Sequence, residues 1–393
     1  MDNLFSYELP EERIALRHAG FSGRRDDSRL LSLSFSDSGF LISDKSFSDV
    51  RGLLNPGDLL VFNNTRVIPT RFFVSPSELS VNSSNTDNTL FEKSSYEVFL
   101  VARKQESQDL EIWEALARPM KAFREGIVFK LCLGIKAKVL GKSENKRFLL
   151  LQLAKDDSIK EINAIPEESI LSIIEREGSI PIPPYIRGGR SDDSDRNDYQ
   201  TVFAAQKGSV AAPTAGLHFT DEILEDLLSS GVSIEFLTLH VGAASILPLK
   251  DDSENELNSE NRPGIESFFV SSDLWSKILK TKESGKRVIA VGTTVVRAIE
   301  TLALSEDTEN MLDSWQESNL FIVPGFQFKV VDCMFTNFHQ PRSTHLALVE
   351  AFIGSKAIKA LYRHALDNNY RFLSYGDSTF IELNKGSVAK WLF

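Results

Sequence analysis

The spacing of apolar and polar positions changes along the chain. In residues 57–63 a Gly57-Asp58 turn is followed by four consecutive apolar side chains, Leu59, Leu60, Val61 and Phe62, and the run ends in polar Asn63-Asn64-Thr65-Arg66. Such a short unbroken run predicts a strand buried on both faces. Residues 75–95 are rich in Ser, Asn, Asp and Thr and predict a long surface loop or hairpin tip. Segments 96–103, 111–117, 126–134 and 147–153 come next, each with alternating or β-branched apolar residues and no helical period. Their spacing predicts a small antiparallel barrel or sandwich.

Beyond residue 180 the pattern turns to strand followed by helix. Thr220 is placed to cap a helix with Asp221 and Glu222 in its first turn, Gly231 ends it, and residues 233–241 form a strand. Residues 286–291 form another, and Gly292-Thr293-Thr294 leads into a helix with Val296, Ile299 and Leu302 on its apolar side. Alternation of this kind predicts a largely parallel sheet. The expected class is therefore α/β: a discontinuous, sandwich-like α/β domain over 1–70 and 171–393, interrupted by a small β-barrel domain over 71–170.

The chain has 393 residues, 42% hydrophobic and 25% charged, enough for one large core or two domains and too apolar for disorder. Its two cysteines, Cys132 and Cys333, exclude a disulfide framework and a cysteine metal cluster, which fits a reducing compartment. Residues 1–10 lack a basic-then-apolar leader pattern. No run reaches the about 18 apolar residues of a membrane span, so a cytoplasmic protein without membrane contact is expected. A net charge of −11 argues at first against a nucleic-acid partner. The acids, however, concentrate in 192–198, 251–260 and 306–313, and the remaining body is close to neutral, with room for a local basic face.

Several segments carry groups suited to chemistry. In 208–220 (GSVAAPTAGLHFT) small residues, Gly216 among them, let backbone approach a ligand, and Thr214, His218 and Thr220 supply donors and acceptors. His218 could transfer a proton near neutral pH, or be a hydrogen-bonded core histidine. Leu239-His240-Val241-Gly242 places a histidine and a glycine at a strand's C-terminal end, where open α/β sheets bind ligands, although His240 could equally be a satisfied edge residue. Thr293, Thr294 and Arg297 open a helix whose N–H groups suit a carboxylate or phosphate, and threonine capping would also explain the hydroxyls. Asn337 and His339, before Pro341, Arg342 and Ser343, describe a second such helix start. Asn64 and Arg66 end a buried strand, and Arg66 could bind an anion bidentately. Tyr375 could stack on a base, and Asp377 could bind ribose hydroxyls or an amine. The P-loop, H-E-x-x-H, paired C-x-x-C, G-x-S-x-G and Rossmann glycine patterns are missing, which removes support for ATP hydrolysis, zinc catalysis and ordinary dinucleotide redox chemistry.

These segments, in this order, resemble the S-adenosylmethionine:tRNA ribosyltransferase-isomerase family of queuosine biosynthesis. The likeness runs from Phe5-Ser-Tyr-Glu-Leu-Pro10 through 57–69, 113–121, 181–186, 199–202, 208–220, 239–243 and 287–300 to 324–326 and 336–377. Departures fall at Asn261 to Glu266, which keeps only the glutamate of a His-x-Met-His-x-Glu segment, at Ala244-Ser245-Ile246, and at Gln340, Arg342 and His345. The resemblance implies a cytoplasmic, monomeric transferase that takes S-adenosylmethionine as ribosyl donor and needs no metal. Its partner would be tRNA carrying 7-aminomethyl-7-deazaguanine at the anticodon wobble position, and its product epoxyqueuosine-tRNA, with adenine and methionine released. On this basis proton transfer is expected of His218, His240 and Asp377. Binding of S-adenosylmethionine or phosphate is expected of Asn64, Arg66, Thr214, Gly216, Gly242, Thr293, Thr294, Arg297, Asn337, His339 and Tyr375.

Two other classes compete. An S-adenosylmethionine-dependent RNA methyltransferase would share both ligands but should carry a glycine-rich loop after its first strand. A non-catalytic RNA-binding module should carry a broad basic or aromatic surface.

Overall fold

The computed structural model describes residues 5–18, 24–79, 95–106, 110–143, 147–156, 168–242 and 264–385. Most of the predicted polar loop and the departures at 244–246 and 261–263 lie outside the described residues. The chain divides into two units, one of Met1–Arg66, Pro183–Gly189 and Asn197–Phe393, the other of Val67–Ile182 and Arg190–Arg196.

Strands β1 (Arg29–Ser36) and β2 (Gly39–Ser46) form an antiparallel hairpin. All five residues of β3 (Leu59–Asn63) are buried, as an unbroken apolar run requires. After β4 (Thr65–Val67) come β5 (Arg71–Val74), β6 (Tyr96–Glu106), β7 (Leu110–Arg118), β8 (Val128–Cys132), β9 (Ile135–Lys142) and β10 (Leu149–Lys155). The last six make one antiparallel sheet in the order β5-β6-β7-β10-β9-β8. Its end strands β5 and β8 approach each other, so the sheet nearly closes into a barrel around Trp113, Phe123 and Phe129. The indole Nε1–H of Trp113 donates to Glu111 at 2.6 Å, which satisfies a polar atom that would otherwise be buried unpaired. Helix α1 (Ile170–Glu177) packs Ile170, Ile173 and Ile174 into the same core.

The rest of the chain runs α2 (Asp195–Asp198), β11 (Gln206–Ser209), α3 (Asp221–Ser229), β12 (Ser233–Leu239), β13 (Glu266–Phe269), α4 (Ser272–Glu283), β14 (Val288–Val291), α5 (Thr293–Leu304), α6 (Thr308–Met311), β15 (Trp315–Ser318), β16 (Cys333–Asn337), α7 (Thr344–Ile353), α8 (Ser355–Asp367) and β17 (Ser378–Glu382). As predicted, the Thr220 hydroxyl caps α3 by accepting from the Ile223 amide at 3.3 Å. Val296, Ile299 and Leu302 of α5 are buried. No helix among the described residues is long and apolar enough to cross a membrane.

Nine strands form the large sheet in the order β15-β13-β12-β3-β14-β16-β17-β1-β2. The expectation of a largely parallel sheet is corrected to a mixed one. Parallel pairing holds for β12-β3-β14-β16 and for β17-β1, whereas β13, β15 and β2 join antiparallel, as do β16 and β17. The physical reason lies in the connections: residues 29–46 form a hairpin, and between β16 and β17 the chain passes through two helices, α7 and α8, and re-enters the sheet running the opposite way. One face of this sheet buries an aromatic cluster. Phe219 stands edge-on to Phe47, Phe62 and Phe335, with centroids 4.9, 4.8 and 5.6 Å away.

Buried side chains close the strand ends. Asn63 Nδ2 donates to the Leu239 carbonyl at 2.9 Å while its Oδ1 accepts from the Leu239 amide at 3.0 Å, tying β3 to β12. Asp58 pairs with Arg287 and accepts the Asn55 amide at 2.7 Å. Fully buried Glu300 accepts the amides of Lys329, Val330 and Val331 at 2.9, 3.1 and 3.0 Å, locking α5 to the approach of β16. We expect Glu300→Gln to lower unfolding free energy in urea by about 1–3 kcal/mol, because an amide offers one acceptor and leaves buried N–H groups unpaired. Unchanged stability would contradict the assignment.

Candidate active site

The parallel strands β12, β3, β14 and β16 lie in that order with their carboxyl ends at one edge of the sheet, and the chain leaving β14 or β16 leads into a helix. After β14, Gly292 adopts φ +99°, a left-handed conformation that a side chain would strain, and this lets α5 start at once with Thr293 and Thr294. After β16, Asn337-Phe338-His339-Gln340 leads to Ser343, whose hydroxyl accepts from the Leu346 amide at 3.1 Å and caps α7. Between these ends, in the first unit, opens a cleft of about 800 Å³ including its mouth. Open α/β sheets bind ligands at such carboxyl ends.

The cleft walls combine small, hydroxyl and aromatic residues. Ala211, Ala212, Pro213 and Thr214 bring small groups, Tyr185 and Tyr199 aromatic rings, and Thr293, Thr294, Asn337, His339, Ser343 and His345 polar groups. Tyr185 Oη lies 2.8 Å from Ser374 Oγ, also in the lining. His339 is held by Thr336 Oγ1, 2.9 Å from its Nε2, by its amide donating to Tyr362 Oη at 3.0 Å, and by Tyr7 Oη donating to its carbonyl. The His345 ring stacks beside it, centroids 5.3 Å apart and planes 21° from parallel.

No Asp, Glu, Lys or Arg occurs among the described residues lining the cleft. Burial lowers the His345 pKa to about 4, helped by the Arg297 charge behind it, and burial with the neighbouring His345 holds His339 well below its usual value. Both imidazoles are therefore neutral at pH 7, and the lining binds through hydrogen bonds, dipoles and stacking instead of net charge. Two buried polar atoms of the lining residues, Thr294 Oγ1 and Asn337 Oδ1, have no partner in the protein. Buried polar groups are nearly always satisfied, so these two oxygens leave an unmet hydrogen-bonding capacity in residues of the cleft wall.

Of the residues singled out from sequence, Thr214, Thr293, Thr294, Asn337 and His339 come together in the lining. Gly216 sits behind it, where an added Cβ would fall 2.8 Å from the Phe203 ring. Gly242 follows Val241 of the lining, and its amide donates to Glu266 at 3.4 Å. Arg297 is buried one layer back, ion-paired to Glu266 and donating from Nε to the Leu320 carbonyl at 3.1 Å, with Nη2 unpartnered. Tyr375 is fully buried, edge-on to His18 and Tyr199.

The residues expected to move protons stand elsewhere. His218 lies behind Asn337, between it and Ser28, and burial lowers its pKa to about 3. Asp377 accepts the amides of Arg29 and Arg371 at 2.8 and 2.7 Å and so clamps the start of β1 to the turn before β17; its burial raises its pKa against the pull of those amides. His240 stacks on Trp315 with centroids 4.8 Å apart and holds Thr65 Oγ1 at 2.8 Å. Gly208 packs against its ring so closely that a Cβ would lie 2.6 Å from Nε2. Trp315 and Asn64 line a separate hollow with Thr238, whose hydroxyl donates to Asn64 Oδ1 at 2.7 Å. Arg66 is exposed on β4.

Sequence reasoning passed over His345, Tyr185, Tyr199 and Ser343 as site residues. The signal for His345 was its place in the first turn of an apolar helix just after a serine cap. Among the described residues no three His, Cys, Asp or Glu side chains gather as a metal site.

Burial lowers the His240 pKa to about 4, whereas an unfolded histidine titrates near 6.5. The unfolded chain therefore binds the proton first as pH falls, and stability contributed by neutral His240 is lost between about pH 6.5 and 4, by up to about 1.4 kcal/mol per pH unit. We expect urea unfolding of wild type to weaken more steeply across this window than that of His240→Gln. Parallel pH curves would contradict it.

Among family models, the chain matches that described as queuosine biosynthesis protein, over residues 2–381. Among solved structures it is similar to the S-adenosylmethionine tRNA ribosyltransferase of Thermotoga maritima, at 30% identity, covering 96% of this chain and 99% of that one, with a TM-score of 0.49.

Proposed function

Since the chain belongs to the queuosine biosynthesis family over nearly its whole length, we propose that it is an S-adenosylmethionine:tRNA ribosyltransferase-isomerase acting in the cytoplasm as a monomer. The observation that carries this reading is the family match over residues 2–381, which contains every residue of the cleft. The donor is S-adenosylmethionine and the acceptor is 7-aminomethyl-7-deazaguanine at the wobble position of tRNA. The aminomethyl nitrogen attacks the ribose carbon bonded to sulfur, and the C–S electron pair leaves with methionine. Loss of a ribosyl proton and rearrangement then expel adenine and close the epoxide of epoxyqueuosine.

The cleft supplies what these steps need. Half-buried Tyr185 offers an aromatic surface for a base to meet, and fully buried Tyr199 backs the wall. The start of α5, at Thr293 and Thr294, presents the positive end of a helix dipole to the methionyl carboxylate, with the Arg297 charge one layer behind. His339 and His345, held neutral, are the lining groups able to accept a proton, and stacking fixes their faces. His218 and Asp377 support the walls, and exposed Arg66 is available to a phosphate. Neutral walls favour this chemistry, because the sulfonium charge disappears as the C–S bond breaks and a site with fixed anions would hold the ground state more tightly than the transition state.

The reaction is tested by mass spectrometry of tRNA bearing 7-aminomethyl-7-deazaguanine after incubation with the protein and ribose-labelled S-adenosylmethionine. Label in the nucleoside with free adenine and methionine is the expected outcome. S-adenosylhomocysteine would instead indicate methyl transfer, and unlabelled tRNA with intact donor would refute the proposal.

A further inference from the structure

We propose that Asn337 presents its side-chain oxygen to an amino group of a bound substrate, and that Ser28 and His218, neither of which reaches the cleft, are positioning residues that fix the direction of that oxygen. This rests on the transferase reading above and names the group that the lining recognises.

The two ends of an asparagine amide are told apart by their partners. One end of Asn337 lies 3.1 Å from the Leu373 carbonyl oxygen and 3.1 Å from His218 Nε2. A carbonyl can only accept, so this end is the NH2 group. His218 Nε2 must then accept as well, and the ring proton sits on Nδ1, which donates to Ser28 Oγ at 2.8 Å. The Ser28 hydroxyl donates in turn to the Arg25 carbonyl at 3.3 Å. Each group thus has a single role. Flipping Asn337 would set its oxygen against the Leu373 carbonyl and the Nε2 lone pair, losing two hydrogen bonds in a buried setting.

What remains is the other end. Asn337 is 3% exposed, lines the cleft, and its Oδ1 has no partner in the protein. A buried, fixed, uncharged acceptor takes a hydrogen-bond donor, which an amino group supplies and a carboxylate or phosphate oxygen does not. Burial keeps His218 neutral, with His18 nearby opposing its protonation and outweighing the pull of the Arg25 backbone, so the chain of roles does not reverse at physiological pH. Both proposed substrates carry such donors: the adenine amino and methionyl ammonium groups of the donor, and the aminomethyl group of the acceptor base.

The full-length enzyme separates these sources. Asn337→Leu removes the acceptor at similar size, Ser28→Ala removes only the far end of the relay, and Ser28→Thr restores its hydroxyl. For each, calorimetry gives Kd for S-adenosylmethionine without tRNA, and steady-state kinetics gives kcat and KM for tRNA. Asn337→Leu should weaken one of these on the order of tenfold to hundredfold, Ser28→Ala less and in the same parameter, with Ser28→Thr near wild type. A raised Kd places the amino group on the donor; an unchanged Kd with a loss in tRNA KM or kcat places it on the base. Folded variants with all parameters unchanged in an active enzyme overturn the proposal alone, whereas a wild-type enzyme that neither binds the donor nor modifies tRNA overturns the transferase reading and the amino-group assignment with it. Independently of activity, 15N NMR of histidine-labelled protein should show His218 as the Nδ1–H tautomer from pH 5 to 8, and an Nε2–H signal overturns the relay even where Asn337→Leu does not fold.

Discussion

Where a buried strand runs out, its last amides and carbonyls lose their ladder partners in a place water does not reach, and much of this molecule is arranged around meeting that need. Asn63 meets it with both ends of one amide, joining β3 to β12. Asp58 and Arg287 meet it where β3 and β14 begin, Glu300 on the way into β16, and Asp377 where β1 and β17 come together. Each of these side chains replaces a missing neighbouring strand with a fixed hydrogen bond. The cleft lies where this substitution is incomplete, at the carboxyl ends of β12, β14 and β16, and the unpartnered oxygens of Thr294 and Asn337 mark the remainder.

Charge is kept one layer behind the lining. Arg297 is matched by Glu266, His218 is neutral between Ser28 and Asn337, and the two imidazoles that face the cleft stay uncharged. The second layer orients and the first layer touches, so a group far from the reacting atoms can govern their geometry through a single hydrogen bond.

What the sequence disclosed follows from how local each signal is. β3 showed itself as an unbroken apolar run, α3 by its Thr220 cap, and α5 by a glycine and two threonines before an apolar face. Thr214, Thr293, Thr294, Asn337 and His339 stand out because small and hydroxyl residues gather where an apolar segment gives way to a helix, although capping alone would also place hydroxyls there. The mixed pairing of the large sheet was invisible, since strand neighbours such as Leu30 and Ser378 lie at opposite ends of the chain. So was the β1–β2 hairpin, whose outer strand is largely exposed and carries little apolar pattern. The sequence leaves His218 open between a proton-transfer group and a hydrogen-bonded core histidine, and the small residues around it let the chain close over the ring and exclude water from it. That Arg297 meets Glu266 rather than a ligand's charge is a long-range fact of packing, which no spacing encodes.

The order in which this chain leaves the ribosome bears on how it must be handled. The β5–β10 sheet is continuous in sequence, and nearly all its pairings join neighbouring strands, so it can form while synthesis is still under way. The nine-stranded sheet cannot: β1 lies alongside β17, and β3 sits between β12 and β14, all made more than a hundred residues later. Until those arrive, Leu59 to Phe62 have no partner on either side and form a sticky segment of bare strand. A nascent chain of this design spends most of its translation time with its future centre uncovered, and stands to gain from a chaperone that shields that one stretch.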